Sequence, residues 1–180
     1  MKKIFIFFLI FISCARVYKR EINFYDFKKI LLNKYGNREI KKFYIEGDFE
    51  SYGQTYMKGF FKVKFFNDTF NIKIFSPPFF IREIEDEFFK EVLKGFFNPL
   101  IFLEKYSVLG VKEDKEFYIV EFKNFLIFFK KENLFIKNIL FEGGNIKLFD
   151  FEDSFPRILE INFFDEKIRL KLREFSYEFK

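Results

Sequence analysis

A chain of 180 residues with no histidine and one cysteine, Cys14, has few side chains suited to chemistry near neutral pH. Imidazole proton transfer, thiol–imidazole nucleophiles and histidine- or cysteine-ligated metals have no residues to work with. Carboxylates remain, in the groups Glu85-Asp86-Glu87 and Asp150, Glu152 and Asp153. Two of them could act as acid and base only if their surroundings drove their pKa values apart. Both groups stand in charged, loop-like stretches, where a solvated carboxylate is the ordinary state. Gly36 and Gly143-Gly144 fit no phosphate-cradling spacing and read as turns. The expectation is a chain without catalysis, cofactor or metal.

Cys14 points to a different kind of chemistry. Lys2 and Lys3 precede an apolar run from Ile4 to Ile12, and Ser13 follows it, which is the layout of a secretory signal. A bilayer-spanning helix needs about 20 apolar residues, and this run soon meets Arg16, Lys19 and Arg20. It is too short for a permanent anchor. The segment Phe11-Ile12-Ser13-Cys14 resembles the lipobox of bacterial lipoproteins, with Phe11 where leucine is usual. The resemblance implies a signal peptide over residues 1–13, lipid attachment at Cys14, and a lipidated tether over 14–20 ahead of a domain spanning 21–180. The plainer alternative is an ordinary cleaved signal with an incidental cysteine.

Removing residues 1–13 takes Lys2 and Lys3 from a formal charge of +5 and leaves +3. The remaining basic residues form no block, which argues against nucleic acid as a partner. Phenylalanine occurs 35 times and tryptophan never. An AT-rich genome accounts for most of that excess, so the count alone does not signal lipid binding. The 167 residues left are enough for one domain with a real core, and no linker or repeat divides them.

The elements follow from periodicity. Ile22, Tyr25, Phe27, Ile30, Leu31 and Tyr35 recur at helical spacing before Gly36-Asn37, which predicts an amphipathic helix over 21–35. Residues 39–50 then read as a strand. Phe61, Val63 and Phe65 alternate with lysines, and Phe70, Ile72 and Ile74 alternate with Asn71 and Lys73. Three antiparallel strands with one apolar face are the simplest account. Ser76-Pro77-Pro78 is expected to end that sheet. Residues 84–93 are ambiguous between helix and strand, with Phe88, Phe89, Val92 and Leu93 suiting a helical face closed by Gly95. Asn98-Pro99 predicts a helix start, with a short helix over 100–106. Strands are predicted at 117–123, 125–131, 134–141, 145–151, 157–164 and 167–179, with turns at Asn124, Gly143-Gly144 and Asp165-Glu166. In the last strand Ile168, Leu170 and Leu172 are apolar at even positions but Phe175, Tyr177 and Phe179 at odd ones, which predicts a β-bulge near Arg173-Glu174.

This order resembles the LolA/LolB lipoprotein-sorting family over residues 20–179. The segments that carry the likeness are IEGDFESYGQTYMKGFFKVKFFNDTFNIKIFSPP, similar to that family's opening meander, and FPRILEINFFDEKIRLKLREFSYEF, similar to its closing hairpin. LolB is the nearer likeness because it too is a lipoprotein. The resemblance implies a mainly β, α+β fold: a strongly curved antiparallel sheet, a half-open barrel, closed by helices over an apolar hollow. Residues expected to line that hollow are Phe61, Val63, Phe65, Phe70, Ile72, Ile74, Ile127, Phe129, Leu159, Ile161, Ile168, Leu170 and Leu172. Phe79 and Phe80, after the proline pair, match a loop that in such proteins meets the membrane. The implied partners are membrane lipid, lipoprotein cargo and a LolA-like carrier, and the implied place is the periplasmic face of the outer membrane. Two roles stay open: an acyl-chain carrier with a hollow interior, or a non-catalytic accessory lipoprotein whose sheet has a filled core and docks onto another envelope protein.

Overall fold

The computed structural model describes residues 20–36, 39–66, 69–76, 80–84, 87–152 and 155–179. Its strands are β1 (Arg20–Glu21), β2 (Ile40–Tyr52), β3 (Met57–Phe66), β4 (Thr69–Ser76), β5 (Phe80–Ile84), β6 (Val108–Glu113), β7 (Phe117–Phe122), β8 (Phe125–Lys130), β9 (Ile136–Phe141), β10 (Gly144–Glu152), β11 (Phe155–Phe163) and β12 (Glu166–Phe179). Three helices complete it: α1 (Phe24–Tyr35), α2 (Glu87–Phe97) and α3 (Leu100–Lys105).

All strands join one sheet in the spatial order β1-β6-β7-β8-β9-β10-β11-β12-β2-β3-β4-β5, and every neighbouring pair is antiparallel. The edges are β1 and β5, so the sheet is open. Period-two burial is clearest in β2, where Phe43, Ile45, Phe49 and Ser51 are buried and Lys42, Glu46 and Glu50 turn outward. β12 lies along β2 from Lys167 opposite Tyr52 to Phe179 opposite Ile40, which joins the late hairpins to the early meander. Its register shifts between Leu172 and Glu174, the expected bulge.

α1 begins where Asn23 Oδ1 accepts from the Tyr25 N–H at 2.8 Å, and it stops where the Gly36 N–H donates to the Leu32 carbonyl. Its buried residues Phe27 and Leu31 face the sheet. The Phe27 ring lies 5.4 Å from the rings of both Tyr118 and Phe129. Asn98 Oδ1 accepts from the Leu100 N–H at 3.1 Å and so opens α3 as expected.

Several expectations need correcting. Within 84–93 the helical reading holds from Glu87, with Phe88, Phe89, Val92 and Leu93 in α2, but the strand ahead of it was not expected: β5 returns antiparallel to β4, with Phe80 opposite Ser76 and Ile84 opposite Ile72. The sheet therefore continues beyond Ser76-Pro77-Pro78, because prolines between two strands cost neither of them a ladder bond. Gly95 does not close the helix, which runs on to Phe97. A Cβ at Gly95 would stand 2.0 Å from the Phe102 ring, so glycine is there to let α3 pack against α2. β1 and β6 were not read as strands. β1 is two residues long, and β6 shows no sustained alternation: only Val111 is buried, Leu109 is exposed, and the register shifts between Val108 and Gly110. The last turn falls at Phe164-Asp165 rather than Asp165-Glu166.

Candidate functional site

Antiparallel pairing brings many turns to one end of the sheet. Met57 at the start of β3 lies opposite Ser51 near the end of β2, and Ser76 closes β4 beside the same strand end. The turns after β7, β9 and β11 lie at this end too, since β8, β10 and β12 each start there. This end is the rim. Next to it, between the sheet and helices α2 and α3, is a cavity of about 1250 Å³. Small-molecule pockets run to about 300–1,000 Å³, and water takes about 30 Å³ per molecule. The space is therefore on the large side for a pocket.

The walls are mostly apolar. Phe61, Val63, Ile72, Ile74, Ile161, Ile168 and Leu170, among the residues the resemblance implied for the hollow, line the cavity. Phe65, Phe70, Ile127, Phe129, Leu159 and Leu172 do not line it and are buried in the packed core. The difference lies along the strands, not across their faces. Towards the far end the same face is filled by large rings: Phe43 stacks on Phe65 at 5.1 Å and Phe97 on Phe155 at 4.7 Å. One interior thus holds a solid core at the far end and a hollow at the rim.

Further lining residues went unnamed in the sequence. Phe49, Phe122, Phe125 and Ile146 share the inward face of strands that were read, so extending the alternation along them was the available signal. Phe88 and Phe89 come from α2. Phe88 lies edge-on to Phe125 at 5.7 Å and to Phe141 at 6.1 Å, which fixes the helix over β8 and β9. Tyr106, just past α3, lies edge-on to Phe125 at 5.0 Å. No periodicity in one segment could announce these cross-element contacts.

The polar lining is confined to strand and helix ends: Ser51, Ser76, Lys105, Ser107, Lys123 and Glu142 among them. Lys105 Nζ stands 3.1 Å from Glu91, whose carboxylate is buried at 4% exposure. Burial alone would lower the Lys105 pKa, but the hydrogen bond and charge of Glu91 outweigh it and raise the value. Lys105 therefore stays cationic and keeps Glu91 from being an unpaired charge under the helices.

Of the carboxylates singled out above, the structure describes Glu87, Asp150 and Glu152. Glu87 is exposed and pairs with Lys90 at 3.1 Å, Asp150 is exposed, and Glu152 binds Arg157. Glu85, Asp86 and Asp153 lie outside the described residues, as do Cys14 and Phe79. Phe80 is the first residue of β5. Among the described residues there is no group of three acidic or cysteine side chains placed to hold a metal ion, and no helix long and apolar enough to cross a membrane.

No family model matches this sequence, and no curated protein does. Among solved structures the chain is similar to a LolA superfamily protein from Nitrosomonas europaea, at 9% identity and a TM-score of 0.47, covering 83% of this chain and 93% of that one. It is also similar to a DUF1329 family protein from Desulfovibrio piger, at 10% identity and a TM-score of 0.49, covering 86% and 91%. The first is named for the superfamily that the sequence resembles.

Proposed function

We propose that this chain is a bacterial envelope lipoprotein that holds acyl chains, of membrane lipid or of a lipoprotein, in its cavity and delivers them to the outer membrane. The observation that carries the reading is the cavity: about 1250 Å³, walled mainly by phenylalanine, isoleucine, leucine and valine, with polar groups only from strand and helix ends and turns. A space of that size and lining suits hydrocarbon, because each buried methylene contributes about 0.8 kcal/mol. In this reading α2 and α3 close the open side of the sheet, and the chain has no catalytic step.

Cys14 is the lipid attachment point after loss of residues 1–13, and Ala15 behind it is compatible with sorting to the outer membrane. Phe79 and Phe80 are the residues that meet the membrane, a LolA-like protein is the donor, and nucleic acid is not a partner. The test is mass spectrometry of the purified chain carrying Cys14→Ser, made without residues 1–13. Acyl lipid retained in proportion to protein supports the proposal. Reproducible absence of lipid, with a collapsed interior, would instead favour an accessory lipoprotein that docks through its surface.

A further inference from the structure

Of the eleven large apolar side chains exposed among the described residues, six, Tyr52, Tyr56, Met57, Leu109, Phe163 and Phe164, are placed by the strand register at the rim beside the cavity, while Tyr25, Phe66, Phe149 and Tyr177 lie away from it. The β2–β3 and β11–β12 turns are neighbours, because Tyr52 lies opposite Lys167 and the Gly53 backbone lies against Glu166. Two aromatic pairs therefore stand side by side: Tyr52 with Tyr56 at 5.3 Å, and Phe163 with Phe164 at 4.5 Å.

Phe164 is the most telling. It sits at a hairpin tip with φ 50° and is 75% exposed. Glycine, asparagine or aspartate suits that backbone, and a bulky aromatic is unfavourable there. The ring is nevertheless held in place. The Phe164 N–H donates to the Gly143 carbonyl at 2.8 Å, and the ring lies over Gly143, whose own φ is 78° and where a Cβ would stand 2.7 Å from it. Charges near the tips balance, with Lys58, Lys105, Lys123 and Lys167 against Glu50, Glu142, Asp165 and Glu166, and the turn from Gly53 to Tyr56 has none.

We infer that this rim is a docking surface for a bilayer of zwitterionic phospholipid. The side chains stand on separate strand ends and tips, and a soft apolar layer accommodates rings at different heights. Tyrosine and phenylalanine suit the headgroup boundary, where one part of a side chain is apolar and another wet. The balanced charge gives anionic lipid no advantage. Because Met57, Lys123, Glu142 and Glu166 at this rim also line the cavity, an acyl chain could pass between bilayer and cavity without crossing water. That consequence rests on the proposed function, but the docking does not.

The chain contains no tryptophan, so a single one introduced at the rim reports its own surroundings. The full chain carrying Phe164→Trp, and separately Tyr56→Trp at a site 54% exposed, is mixed with phosphatidylcholine vesicles whose acyl chains are brominated. Phe66→Trp is the control. It is 53% exposed at the opposite end of the ten-residue strand β3, about 30 Å away at 3.3 Å per residue. Both rim reporters are expected to shift to the blue and lose at least half their emission, while the control changes little. Two rim reporters are used so that one poorly folded variant does not decide the result. An unquenched rim, or quenching stronger at Phe66→Trp, overturns the inference. So does a rim reporter already buried without vesicles in a concentration-dependent way, since a second copy would then cover it. Lipid retained by a preparation whose rim stays unquenched would overturn docking alone and leave the cavity reading standing.

Discussion

The division of the interior into a hollow and a packed core makes opposite demands on two similar substitutions. Ile74 lines the cavity, whereas Leu172 is 4% exposed and lies outside it. Phenylalanine has three more side-chain carbons than either residue. At Leu172 those carbons have no space, and overpacking costs about 1–3 kcal/mol. A domain of this size loses about 2–4 °C in Tm per kcal/mol, so Leu172→Phe lowers Tm by about 2–12 °C. At Ile74 the added carbons enter open space and leave Tm nearly unchanged. They also take the room of two or three methylenes of an acyl ligand, worth about 0.8 kcal/mol each. For a ligand that fills the cavity, the loss of about 2 kcal/mol weakens Kd by roughly thirtyfold. Displacement of a fluorescent fatty acid gives the binding, and thermal unfolding by circular dichroism gives the stability. If Ile74→Phe melts as low as Leu172→Phe and binds the fatty acid as well as the unsubstituted chain, the cavity is not a ligand site.

Other consequences are simpler to check. Cys14→Ala is expected to abolish acylation and leave an unprocessed precursor, and incorporation of a palmitate analogue at the unsubstituted level would refute lipidation there. Gly95→Ala, which inside a helix would ordinarily stabilise by about 0.5–1 kcal/mol, is expected to destabilise by about 1–3 kcal/mol, because the new Cβ meets the buried Phe102 ring. Chemical denaturation decides the sign. Glu178 accepts hydrogen bonds from Lys41 at 2.8 Å and Lys42 at 2.6 Å, which together pull its carboxyl down to about 2. A depressed carboxylate pKa contributes stability that is present above the ordinary carboxylate range and is lost as pH falls towards 2. NMR titration of the Glu178 carboxyl is expected to show that low midpoint, and Lys41→Met with Lys42→Met should return it towards 4.5.

Local physics was enough to read the elements that carry a period. The alternation in β2, β3 and β4, the helical spacing of Phe27 and Leu31, the Asn98 cap and the phase flip that marks the bulge in β12 are each properties of neighbouring residues. β5, β6 and the continuation of α2 through Gly95 were not readable in this way. β6 is held as a strand by its ladder to β7, and Gly95 keeps its helical place because Phe102 packs on it from another helix. The same limit applied to the cavity. Alternation identifies the inward face of a strand, and Phe61 and Phe65, or Ile168 and Leu172, look alike on it. Which of them meets open space depends on where α1, α2 and the rings of Phe43 and Phe97 fill the interior. That is set by contacts between residues far apart in the chain, which no single stretch of sequence contains.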